Sequence, residues 1–144
     1  MRKSISGFTI VELTIVVFII GLLTTIGTMS YVKITAQSRD SQRSSKVTII
    51  IEALEKYYET HGQYPSCTDM TQDSNTVVST TLTGMNQDAL TAPNANEGTN
   101  SITCFEPTSN NVFGYIDGGA QYSIKYINEE TNNMINITSR HRTS

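Results

Sequence analysis

Tryptophan is absent from the 144 residues, and histidine, cysteine and proline are scarce: His61 and His141, Cys67 and Cys104, and three prolines in all. Two cysteines and two histidines nearly exclude a zinc site built from these residues, and they leave little from which to assemble a cysteine–histidine nucleophile. Excess positive charge is missing too. The formal net charge of −3 divides into +1 over residues 1–29, +1 over 30–61 and −5 over 62–144, so the distal part is acidic and a strongly basic nucleic-acid binder is disfavoured. With 38% apolar residues the chain has material for about one modest domain.

What is abundant lies at the beginning. Phe8 to Met29 is a run of 22 residues with fourteen large apolar side chains, five threonines, two glycines and a single charge, Glu12. As a helix it would span roughly 33 Å, near the ~30 Å hydrocarbon core of a bilayer. Arg2 and Lys3 precede it with no acidic residue beside them. The positive-inside rule therefore keeps the first seven residues in the cytoplasm and sends everything after Met29 across. The competing reading is a secretory signal, whose apolar region is usually about 7–15 residues and ends in a small-x-small site. This run is longer and no Ala-x-Ala follows it. The lack of a cysteine near its end argues against a lipoprotein.

Glu12 is the anomaly, because a carboxylate at depth in a bilayer costs about 2.5–3.5 kcal/mol on insertion scales. The next basic residue along the chain is Lys33. A nearby cation would therefore have to be made, by cutting the chain between Gly7 and Phe8 so that the new amine sits one helical turn before Glu12, on the same face or on a neighbouring copy.

The run Gly7-Phe8-Thr9-Ile10-Val11-Glu12, followed by Leu13-Thr14-Ile15-Val16-Val17-Phe18-Ile19-Ile20-Gly21-Leu22-Leu23, resembles the amino-terminal signature of type IV pilins and pseudopilins. Tyr31 stands where that family commonly has tyrosine, whereas Met29 stands where many members have a helix-kinking proline. The resemblance implies a leader, residues 1–7, removed after Gly7 by a prepilin peptidase, and N-methylation of Phe8. It implies that Glu12 pairs with the terminal amine of a neighbouring subunit during filament assembly. It further implies a single-pass precursor in the cytoplasmic membrane, handled there by the pilus assembly machinery, and then a homo-oligomeric filament on the cell surface. The expected function is a structural pilus subunit serving adhesion, motility or DNA uptake. The alternative is a low-copy minor pilin or pseudopilin that acts as a binding module of a secretion or competence system. The Asp-Pro-Trp-Gly element of the calcium-linked loop in major secretion pseudopilins is missing. Gly21, Gly27, Thr24, Thr25 and Thr28 make a locally weak helix. They fit either loosening of residues 21–29 on assembly or close helix packing in the membrane.

Beyond the apolar run the pattern turns amphipathic. Val47, Ile50, Ile51, Leu54 and Tyr58 recur at steps of three and four, opposite Glu52, Glu55, Lys56 and Glu59. Gly62 and Pro65 supply the stop. One helix from Phe8 to His61 is expected, roughly 80 Å long, with a break most plausible at Ser41–Ser45. Its two parts are the membrane and assembly helix, residues 8–29, and the amphipathic half, residues 30–61. Arg39, Arg43 and Lys46 share a face, expected to be solvated and balanced by Asp40, or else to meet acidic neighbours in a filament or lipid head groups. Direct contact with DNA is disfavoured, because the patch is short and no aromatic interleaves with it. The segment from Arg39 through Tyr57-Tyr58 to Gly62-x-Tyr64-Pro65 resembles, more loosely, the stem-to-head transition of bacterial pilins.

Residues 62–144 would form the globular head. Its stretch 66–111 holds 22 Ser, Thr and Asn and reads as an ordered, irregular loop with room for a short strand or helix, wrapping the helix and sheet. Cys67 and Cys104 flank that stretch beyond the membrane run, where disulfides persist; pairing is the natural reading and two free thiols the alternative. Val112–Ile116, Gln121–Ile127 and Met134–Thr138, joined by Asp117-Gly118-Gly119 and Asn128–Asn133, read as two hairpins. The fold class is thus α+β: a long amino-terminal helix packed on a three- or four-stranded antiparallel sheet, pilin-like. No catalytic, cofactor-binding or metal set is expected, and the chain reads as a non-enzyme. Asn136-Ile137-Thr138 matches an N-glycosylation pattern only formally, inside an expected strand.

Overall fold

The computed structural model describes residues 7–117 and 119–140, with the backbone alone at Gly27, Thr28 and Met29. Helix α1 runs from Ile10 to His61 with no break at Ser41–Ser45. Its residues divide between two units, 1–35 and 36–144.

In the first unit the threonines explain how a polar-sprinkled run stays compatible with an apolar medium. Thr14 donates to the Val11 carbonyl at 2.9 Å, Thr24 to Ile20 at 2.7 Å and Thr25 to Gly21 at 2.9 Å. Each hydroxyl is thereby satisfied inside its own helix, as a bilayer requires. The side chains of Thr28 and Met29, on which part of the loosening expectation rests, lie outside the described residues, as does the leader through Ser6.

In the second unit the stripe expected from the periodicity is the floor of the core. Val47, Ile50, Ile51 and Leu54 are buried, while Thr48, Ile49 and Glu52 are exposed. Gly62 ends the helix in the left-handed region, φ +71°, and its N–H donates to the Tyr58 carbonyl at 2.8 Å. Pro65 follows, buried, and its carbonyl accepts from the Tyr115 hydroxyl at 2.7 Å.

The segment 66–111 is ordered. It contains α2 (Cys67–Met70), opened by Ser66 as N-cap, then α3 (Ser74–Thr76) running into a π-helical turn (Val77–Thr81), and a 3₁₀ turn (Gln87–Leu90). Seven apolar side chains from it, Met70, Val77, Leu82, Ala89, Leu90, Ala92 and Ile102, join the buried cluster with α1 and the rest of the sheet. Ordering by burial resolves the tension between a polar composition and a defined path.

The sheet has four strands in sequence order: β1 (Ile102–Thr103), β2 (Phe113–Asp117), β3 (Tyr122–Ile127) and β4 (Met134–Thr138). The β2–β3 and β3–β4 hairpins are antiparallel, as expected. The expectation of a wholly antiparallel sheet fails at β1, which pairs parallel with β2 (Ile102↔Phe113, Thr103↔Gly114), so the sheet is mixed. The cause is the 104–112 connection, which returns the chain to the start of β2 instead of turning tightly. It passes so close to β2 that a Cβ on Gly114 would lie 2.5 Å from the Phe105 carbonyl oxygen and 2.8 Å from Pro107 Cδ. Gly114 is therefore the residue that lets the crossover lie against the sheet. On the other face Phe113, Tyr115, Tyr122, Ile124 and Tyr126 complete the core.

Candidate functional site

The residues singled out by sequence fall in two places, each in its own unit. In the first, Gly7, Phe8 and Thr9 precede the helix, and Thr9 is its cap. The Thr9 carbonyl accepts from the Leu13 N–H at 3.2 Å, and the Thr9 Oγ1 accepts from the Glu12 N–H at 3.2 Å. In return one carboxylate oxygen of Glu12 accepts from the Thr9 N–H at 3.0 Å and from its hydroxyl at 2.7 Å. This is a reciprocal capping box, with the negative charge at the positive end of the helix dipole. It gives Glu12 a neutral partner besides the expected cation: Thr9 donates twice to one of its two carboxylate oxygens. The Thr-x-x-Glu spacing was there to be read, and a search confined to basic partners passes over it.

The large apolar side chains that follow are exposed. Phe8 is 82% exposed, and every large apolar side chain described from Ile10 to Ile34 is exposed as well. So many exposed apolar side chains on one helix exceed the few hundred Å² that soluble monomers usually leave in water, and mark a surface meant for lipid or another protein. By length and composition this helix is long and apolar enough to cross a membrane, a property that a signal sequence shares.

The second place is the face of α1 carrying Arg39, Arg43 and Lys46. The expected balance by Asp40 is found at Arg43, but the expectation of a solvated or intermolecular face fails, for the head itself engages all three. Arg43 is 0% exposed. Its Nη1 donates to Asp40 Oδ1 at 2.7 Å, its Nη2 to Glu129 Oε2 at 2.9 Å and its Nε to the Asn110 carbonyl at 3.0 Å. Arg39 forks onto the same Glu129 with contacts of 2.5 and 3.1 Å. Asp40 then reaches across to the β3–β4 turn, accepting from the Glu129 N–H at 2.8 Å and the Glu130 N–H at 2.9 Å. Lys46 holds the 3₁₀ turn, donating to the Asp88 and Thr91 carbonyls at 2.8 and 2.9 Å and pairing with the Asp88 carboxylate at 2.9 Å. Bidentate, charge-assisted contacts of this kind are the strong ones.

The Arg39 fork, with the Arg43 contact added, holds the Glu129 carboxyl down at about 2, against the partial burial that opposes ionisation. A folded-state value below the unfolded one, about 4.5, means a stabilisation that is complete above that pH and lost as pH falls toward 2. Thermal melts from pH 6 to pH 2 should show a steep loss below pH 4.5, flattened in Glu129→Gln. Equal slopes in the two proteins would contradict this role.

Cys67 and Cys104 are joined in a disulfide with Cα atoms 5.7 Å apart, tying α2 to the residue that follows β1. His61 stacks on Tyr57 with centroids 3.9 Å apart and contacts Thr60 Oγ1 at 2.7 Å, so its ring is engaged by its own helix end. His141 and Gly118 lie outside the described residues. Asp117 accepts from the Gly119 N–H at 2.7 Å, a turn contact. Among the described residues no three His, Cys, Asp or Glu side chains come together as a metal set. No family model matches the chain, and neither a curated protein nor a solved structure does so.

Proposed function

We propose that the chain is the structural subunit of a type IV pilus-like filament. It is inserted in the cytoplasmic membrane as a precursor, cut between Gly7 and Phe8 by a prepilin peptidase, methylated on Phe8 and polymerised through the helix that Phe8 opens. The observation that carries this reading is the exposure of the apolar side chains described from Phe8 to Ile34, with Glu12 the one carboxylate near the start and Lys33 a cation only at the far end. Lipid can cover that surface in the precursor and neighbouring copies of the same helix can cover it in the polymer. The exchange costs little, since lipid tails are as apolar as the side chains. The acidic heads then face water outside the cell.

Glu12 supplies the register. Its two bonds from Thr9 satisfy one oxygen, Oε2. The amine created at Phe8 of a neighbour would complete the set in a filament core where an unpaired charge is far costlier than a paired one. The test is to shear surface filaments and read the amino-terminal residue of their subunit. N-methylphenylalanine at position 8 is expected, with the subunit as the main component. Glu12→Ala should be inserted and cut yet give at least about tenfold fewer filaments, while Gly7→Arg should remain uncut. A subunit still carrying its leader, or a normal filament yield from Glu12→Ala, would overturn the reading. Trace abundance in filaments built of another protein would point instead to a minor pilin.

A further inference from the structure

Strand β4 is the edge of the sheet, and the hydrogen bonds around it tell which of its backbone groups are spoken for. The Ser139 N–H donates to the Tyr122 carbonyl and the Asn128 N–H to the Asn133 carbonyl, both at 2.9 Å. With the register Ser123↔Thr138 through Ile127↔Met134, the alternation of an antiparallel ladder points Ile135 and Ile137 toward β3. Met134, Asn136 and Thr138 therefore turn their N–H and C=O groups outward. All three residues are exposed, and no hydrogen bond to those groups occurs among the described residues. Edge strands are ordinarily protected by a lysine, a proline or an inward charge. Met-Ile-Asn-Ile-Thr has none of these, and no charged residue stands between Glu130 and Arg140.

We propose that β4 pairs antiparallel with β4 of a second copy of this chain, about a two-fold axis at Asn136. The outward residues are arranged symmetrically about that position. Asn136 would face Asn136 of the second copy, and Met134 would face its Thr138, each pair exchanging two backbone bonds. Charge favours the same partner and direction. Residues 62–144 carry −5 in total, and the uncharged strand is a window through which two such heads can approach. Glu130 precedes the strand and Arg140 follows it, so antiparallel pairing brings opposite signs together at both ends, whereas a parallel pairing would bring like signs together. Five residues of edge make a small contact, weak for a single pair. Repeated along two surfaces that display many heads, it gains avidity without any new bond. If the filament reading holds, this contact joins filaments side by side; it does not depend on that reading, because membrane-bound precursors can make it equally well.

The test is cysteine cross-linking of the full-length chain in its membrane. Opposed residues of a hydrogen-bonded antiparallel pair have Cα atoms about 5.5 Å apart, inside the range a disulfide bridges. Asn136→Cys should form a covalent homodimer on mild oxidation. Thr138→Cys alone should form at least about tenfold less, and adding Met134→Cys to a second population should restore a mixed dimer. Asn136→Lys, which sets two ammonium groups opposite each other, should abolish co-purification of differently tagged copies while keeping the native Cys67–Cys104 bond. A monomeric Asn136→Cys protein with that bond intact, equal cross-linking at 136 and 138, or cross-linking to a different protein would each overturn the proposal.

Discussion

Replacing Arg43 with alanine is expected to lower the stability of the head by about 3–5 kcal/mol, the usual consequence of removing one partner from a buried ionic cluster. The guanidinium is wholly buried and holds Asp40, Glu129 and the Asn110 carbonyl at once. Truncation leaves the Asp40 carboxylate, whose side chain is only 9% exposed, without its cation in a site closed to water. The backbone N–H groups of Glu129 and Glu130 still reach Asp40, which cushions the loss. Arg43→Lys keeps the charge but cannot match three acceptors lying in different directions, so roughly half the loss is expected to persist. The check is urea unfolding of the full chain in detergent, followed by the near-ultraviolet signal of the packed tyrosines Tyr58, Tyr64, Tyr115 and Tyr122. That signal reports mainly the head, since Tyr31 of the apolar helix is exposed and adds little to it. A change under about 1 kcal/mol for Arg43→Ala would show the cluster to be decorative.

The same residue shows where sequence stops being informative. Helical spacing puts Arg39, Arg43 and Lys46 on one face, but nothing local says what covers that face. The covering turn is 86 residues away, at Glu129. Features that depend on local chemistry were legible: the Val47–Leu54 stripe, the Gly62 stop, the alternation of Tyr122, Ile124 and Tyr126, and the hairpin turns. The position and the parallel pairing of strand β1 were not, because two residues carry no period and a parallel neighbour is defined only by where the chain returns. At the candidate site the apolar run and Glu12 stood out because a charge amid fourteen large apolar side chains is physically expensive. The Thr9 cap is equally local. It escapes a reading that counts charges, since its donors are neutral.

Removing the disulfide should have the second large effect, about 4 kcal/mol on the chain-entropy model for a closed loop of the size set by a sequence separation of 37. The loss should be unevenly distributed. Met70, Val77, Leu82 and Leu90 within the loop are fully or almost fully buried, so hydrophobic packing still holds its middle when the bond is gone. What the bond secures most directly is its end: Cys104 closes a two-residue strand and begins the crossover that lies on Gly114. In Cys67→Ala/Cys104→Ala the amide of Phe113, bonded to the Ser101 carbonyl at 2.9 Å, should exchange hydrogen far faster. Amides of β3 paired with β4, such as that of Ile124, should change by no more than the global loss. Uniform acceleration across the head would mean that β1 and the crossover unfold only with the whole. A global change below about 1 kcal/mol would mean that burial of the 66–101 segment already restricts the chain as much as the covalent link does.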